Sequence, residues 1–216
     1  MDESPQPLIV DVISDVVCPW CYLGKRRLKM AIDKAPGGPI AVRWRPYQLD
    51  ASIPPAGLDR RTYLKYKFPD DGQLEDVHAR LTALGALVGI SYDFDKITRA
   101  PNTLDAHRLI RWAYAEGAQD EVVERLFSLY FEEGRDIGDH AVLAEAARDC
   151  GMDHETVQAF LAEDRDIDAV KAEIEQAQTI GVSGVPFFIF ASRLAVAGAQ
   201  EVDVLVKTIA QARAAG

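Results

Sequence analysis

The chain has 216 residues, 48% hydrophobic and 27% charged, enough apolar material for one domain with a large insertion or for two small domains sharing an interface. Its net charge of −10 is carried by residues 55–175, which hold 26 acidic and 14 basic side chains, and an acidic middle leaves no phosphate-binding footprint, so nucleic acid is not an expected partner. No apolar run reaches the roughly 18 residues of a membrane span, and three cysteines are too few for a disulfide-stapled secreted scaffold.

In chain order, the opening MDESPQP is acidic and contains prolines where a signal would have an apolar core, so the expectation is a cytoplasmic chain. PLIVDVISD (7–15) is apolar and β-branched and reads as a buried strand. From Trp20 to Lys34, Leu23, Leu28, Met30 and Ile32 interleave with Lys25, Arg26, Arg27 and Lys29, which predicts a helix with a basic outer face, closed by PGGP at 36–39. IAVRWRPYQL (40–49) alternates and predicts a second strand, so the first 54 residues make a βαβ unit if the strands are parallel.

After IPPAG (53–57) only helical patterns appear, at 59–67, 73–88, 103–116, 120–133, 139–149, 153–162 and 165–180. Asn102 is the expected N-cap of the third, with Asp105 placed to favour its positive end. Strands return as VPFFIF (185–190) and RLAVAG (193–198), a hairpin about AS, and an amphipathic helix closes the chain at 201–215. The predicted fold class is α/β: a thioredoxin-like core (β-α-β … β-β-α) interrupted by a large α-helical insertion. Residues 1–54 form the first half of that core, 55–175 the insertion and 176–216 the second half.

Two of the three cysteines stand two residues apart, Cys18 and Cys21, where the first strand gives way to the first helix. A structural zinc site needs four ligands, and neither Cys150 nor His78, His107, His140 and His154 supplies a second pair at matching spacing. A pair kept only as small packed residues fits poorly with a proline-containing turn, which is an exposed place for two thiols. The redox reading accounts for the spacing. In the first turn of a helix the sulfurs come within bonding distance, the unpaired N–H groups and the positive helix end favour a Cys18 thiolate, and Cys21, one turn further in, is shielded and resolves. Cys18 is expected to be exposed. Pro186 opens a strand after the glycine-bearing turn of GVSGVPFFIF, and the reading places it as a cis-proline whose neighbour Val185 offers backbone groups to an extended substrate.

SDVVCPWCYLGKRRL, NTLDAHRLIRWA and GVSGVPFFIF…AVAGAQ resemble, in order and over nearly the whole chain, the FrnE-like branch of the DsbA family of thioredoxin-fold oxidoreductases. The resemblance implies dithiol–disulfide exchange in the cytoplasm, with Cys18 attacking, Cys21 resolving and Pro186 the cis-proline opposite them. Catalysis is thus assigned to Cys18, Cys21 and Pro186, and substrate binding to Trp20, Val185 and His107. No metal and no tightly bound cofactor is implied beyond the redox-active disulfide. The expected partners are protein or small-molecule thiols and disulfides, glutathione among the thiols. Dithiol potentials in this fold run from about −270 to about −120 mV, so oxidase, reductase and isomerase all fit.

Two rival functions remain. The kappa-class glutathione transferases and 2-hydroxychromene-2-carboxylate isomerases share the architecture but carry serine where Cys18 stands. A non-enzymatic peptide-holding module is the other. Among single residues, His107 is either an aid to proton transfer and thiolate charge or a buried imidazole bonded to a backbone carbonyl. Asp15 is a proton relay or, more simply, a turn residue capping the next helix. The facing of Asp11 is left open by strand alternation, and Cys150 is read as a small semi-buried residue.

Overall fold

The computed structural model describes residues 6–68 and 70–215. The first five residues of the amino-terminal stretch discussed above lie outside that range. Strand β1 (Leu8–Ser14), a β-branched run, occupies the middle of a four-stranded sheet ordered β2-β1-β5-β6, with β2 (Ile40–Pro46), β5 (Phe187–Phe190) and β6 (Leu194–Ala197). β1 and β2 are parallel, in register from Leu8↔Ile40 to Ser14↔Pro46. A parallel pair needs a crossover, and helix α1 (Pro19–Lys34) supplies it. β5 runs antiparallel to β1, and β6 antiparallel to β5. The last helix, α9 (Val202–Ala214), packs on α1.

Between β2 and β5 lie β3 (Leu58–Asp59), α2 (Arg60–Lys67), α3 (Asp71–Ala86), a 3-10 turn at Phe94–Lys96, β4 (Arg99–Ala100), α4 (Leu104–Ala115), α5 (Gln119–Phe131), α6 (His140–Asp149), α7 (His154–Ala162) and α8 (Ile167–Thr179). Part of the acidity of this stretch is structural. Asp59, Asp70, Asp139 and Asp153 are the N-caps of α2, α3, α6 and α7, each carboxylate accepting from first-turn N–H groups. The main apolar core is continuous across the sheet and this helical block. Val10, Val12, Phe188 and Phe190 of the sheet share it with Tyr22 and Leu28 of α1 and with Leu126, Phe127 and Phe131 of α5. Tyr22 stacks on Phe127 at 4.9 Å.

Three local expectations are corrected. The basic face of α1 is an outer one only in part: Lys29 is exposed and Arg26 half-buried, but Lys25 and Arg27 are buried, because α1 lies between α5 on one flank and the approach to α9 on the other. Lys25 Nζ reaches Asp120 at 2.7 Å and Glu124 at 3.2 Å, while Arg27 donates to the Ala199 carbonyl and pairs with Glu201. The N-cap of α4 is Thr103, not Asn102, although Asn102 Oδ1 still accepts from the Leu104 N–H. The short β3–β4 ladder has no sequence signal, since two residues a side carry no periodicity.

Candidate active site

β1 ends at Ser14 and α1 begins at Pro19, whose missing N–H and fixed φ suit the first helical position. Cys18 is the N-cap residue between them, with φ −91° and ψ 112°. Its N–H donates to the Asp15 carbonyl at 2.9 Å, and its own carbonyl accepts from the Cys21 N–H at 2.9 Å. Across the sheet, the turn before β5 comes up to the same point. The Cys18 thiol donates to the Val185 carbonyl at 3.6 Å, and the Val185–Pro186 peptide bond is cis. Gly24 permits this approach: a Cβ there would lie 3.0 Å from Pro186 Cγ and 3.1 Å from Phe188 Cζ.

Both thiols are free and both are buried, Cys21 fully and Cys18 to 4% exposure. The burial of Cys18 corrects the expectation that it is open to solvent. It lies in the wall of a cavity of about 320 Å³ formed where the helical block folds over the strand-end turn. Trp20, Val17 and Val185 line that cavity from the core side, and Tyr63, Leu64 and Leu81 line it from α2 and α3. The lining is mainly apolar, with Arg60, Lys67 and Asp50 among its charged members. Burial pushes the Cys21 thiol well above its ordinary value of 9.0. The neighbouring Cys18 sulfur adds to this, and the nearby Ser14 side chain and Asp15 backbone oppose it in part.

Trp20 is half-buried, with the Arg80 guanidinium 5.5 Å from its ring centroid. His107 is not in the cavity with Cys18. It is buried, with Nε2 2.9 Å from the Tyr47 carbonyl and 3.5 Å from Asp15 Oδ1, and it lines a second cavity of about 480 Å³. Asp15 does not cap α1, which has no side-chain cap; instead its Oδ2 accepts from the Leu49 N–H at 2.8 Å. Asp11 accepts both bonds of an Arg43 guanidinium, at 2.9 and 2.7 Å. Cys150, half-buried at the C-cap of α6, has its thiol pushed up by burial. Sequence reasoning missed the cavity walls on α2 and α3. The adjacent Tyr63 and Leu64 in the otherwise polar RRTYLKYK are the signal that was there to find. Among the described residues, no three His, Cys, Asp or Glu side chains gather as a metal site.

The cysteine pair thus stands at a helix start beside a cis-proline turn, on a four-stranded sheet with a helical block inserted. The family described as DSBA-like thioredoxin domain matches residues 9–210. The chain belongs to that family. Its fold is the DSBA-like thioredoxin fold with a helical insertion. A crystal structure of a probable DsbA oxidoreductase, SCO1869 from Streptomyces coelicolor, is similar at a TM-score of 0.89 and 30% identity, covering 96% of this chain and 90% of that one. The uncharacterized protein YwbO of Bacillus subtilis is 27% identical, over 93% of this chain and 94% of its own length. The cytosolic disulfide reductase DsbM of Pseudomonas aeruginosa, in a structure with GSH, shares this DSBA-like fold at a TM-score of 0.63 and 19% identity, with 96% of each chain covered.

Proposed function

We propose that this DSBA-like protein is a thiol–disulfide oxidoreductase of the FrnE-like branch that works in the cytoplasm through its Cys18–Cys21 dithiol. The observation that carries the reading is the arrangement of the pair. Cys18 caps α1 in the wall of a cavity and faces the Val185 carbonyl, while Cys21 is sealed one turn behind it. In the reducing direction the Cys18 thiolate attacks a substrate disulfide, forming a Cys18–substrate disulfide and releasing one substrate thiol. Cys21 then attacks the Cys18 sulfur, releasing the second thiol and leaving a Cys18–Cys21 disulfide. The oxidising direction is the reverse sequence. Pro186 and Val185 hold the substrate chain beside Cys18, Trp20 forms the wall against its side chains, and no tightly bound cofactor takes part. Protein thiols and small thiols such as glutathione are the proposed exchange partners.

The test is redox equilibration against glutathione buffers, with thiol trapping and mass spectrometry, in the protein and in Cys150→Ala. The expected result is a reversible loss of two hydrogens between Cys18 and Cys21, and accumulation of a mixed disulfide at Cys18 in Cys21→Ser. Glutathione held at Cys18 with no intramolecular disulfide would move the reading to glutathione-dependent isomerase or transferase chemistry. Peptide binding that survives loss of both cysteines would move it to a holding module.

A further inference from the structure

Two buried ionisable residues take no part in the exchange just described. Asp15 is 1% exposed and His107 3%. Asp15 Oδ2 accepts from the Leu49 N–H, but Oδ1 is buried without a hydrogen-bond partner among the described residues, 3.5 Å from His107 Nε2. A buried carboxylate oxygen left unpaired is costly unless a charge balances it nearby. Because the Tyr47 carbonyl can only accept, Nε2 of His107 carries a hydrogen, and Nδ1 is the nitrogen left to take up another proton. Asp15 lies in the wall of the cavity that holds Cys18, whereas His107 lines the second cavity, so the pair spans the wall between the two.

We propose that His107, beside Asp15, balances the charge of the active-site thiolate by taking up a proton from the second cavity when the dithiol forms. This rests on the redox reading above. A substrate dithiol reduces the Cys18–Cys21 disulfide, becoming a disulfide itself and giving up two electrons and two protons. The S–S bond of the protein breaks, one proton ends on the Cys21 sulfur and the other on His107 Nδ1, and Cys18 remains a thiolate. With a neutral imidazole, the Asp15 carboxylate and the thiolate would line the same cavity as like charges. The imidazolium cancels Asp15 and removes that repulsion. Acting through charge rather than contact, both are positioning residues.

Other groups facing the pair hold a fixed charge state and do not respond when the dithiol forms. Tyr130 of α5 is held neutral by burial, its pKa pushed up to about 12, with Asp15 contributing to the rise. Arg60 of α2, in the wall of the first cavity, donates to the Tyr130 hydroxyl and keeps its positive charge whether the dithiol or the disulfide is present. Around the second cavity, Arg45 and Arg111 are already paired with Glu173, and Arg111 also with Asp166.

The experiment measures ultraviolet thiolate absorbance of the reduced protein at pH 6 in a Cys150→Ala background. Asp15→Asn and His107→Gln are compared with their parent; each keeps its existing hydrogen bond. The expected changes are opposite in sign: roughly tenfold less thiolate in His107→Gln, and more in Asp15→Asn. A merely structural role would move both the same way, and that result overturns the proposal. As a check that needs no variant at either site, the His107 ring is followed by NMR at pH 7. It is expected to be more protonated in the reduced than in the oxidised protein, and equal protonation overturns the proposal. Thiolate absorbance requires no substrate, so it tests the pair separately from exchange. A parent protein that forms no Cys18–Cys21 disulfide refutes the functional reading instead.

Discussion

Gly24 sets the distance between α1 and the turn at Pro186. Any side chain there enters the space of Pro186 and of the fully buried Phe188. Gly24→Val is expected to lower stability by about 2–3 kcal/mol, read from urea unfolding, because neither neighbour has room to yield. At Cys21, burial keeps the proton on sulfur, so in the reduced protein iodoacetamide at pH 8 is expected to leave Cys21 unmodified while Cys18 reacts, with peptide mapping as the readout. The cysteine pair and Pro186 are legible in the sequence because each carries a local signature, a spacing or a strand-opening proline. The burial of Cys18 and the meeting of Asp15 with His107 are not legible. They depend on side chains brought together from distant segments, and no spacing encodes that.

Elements are read more easily than sites. Each strand of the four-stranded sheet and each long helix declares itself by a run of apolar residues of period 2 or 3.6, and the boundaries differ from expectation by a few residues at most. What escapes is whatever depends on a neighbour. Lys25 and Arg27 look like solvent residues until the acids of α5 and the end of the sheet are packed against them. Arg108 is a similar case: buried in α4, it donates to the carbonyls of Phe160, Glu163 and Arg165 and so closes the end of α7. Arg108→Met leaves those carbonyls without their donor. It is expected to destabilise by about 3–5 kcal/mol, with hydrogen exchange accelerating first around residues 160–166. The hairpin between β5 and β6 turns on Ala191 and Ser192, both in the left-handed region at φ 50° and 56°. Replacing them by Asn-Gly relieves that strain and is expected to add roughly 1–2 kcal/mol, visible as a higher melting temperature.

Across the whole molecule, charge and burial together define a range of pH. Asp50 and Asp166 are held below the ordinary 3.8, Asp50 foremost by the Ser52 hydroxyl and Asp166 foremost by the Trp112 indole N–H. Their folded values are lower than their unfolded ones, so their contribution is complete above about pH 4 and disappears as pH falls through the folded values. Cys21, Tyr22 and Tyr92 are shifted upward, chiefly by burial. Their contribution is complete below the unfolded values and is lost as pH rises through the folded ones. The melting temperature of the reduced protein is therefore expected to be flat near neutrality, to fall below pH 4 and to fall again above pH 9. A scan that fell steadily across neutral pH would contradict this.

The sheet has one further consequence, in time rather than in space. Val185 follows Cys18 by 167 residues, and β5, the strand that completes the site, comes directly after it. At the usual pace of synthesis, about 5–20 residues per second, roughly ten to thirty seconds pass between the appearance of the cysteine turn and that of its opposite wall. For that interval the nascent chain carries an open dithiol beside an unpaired strand edge. The chain's own thiols are thus exposed to stray oxidants and to neighbouring polypeptides before the machinery that governs them has been made.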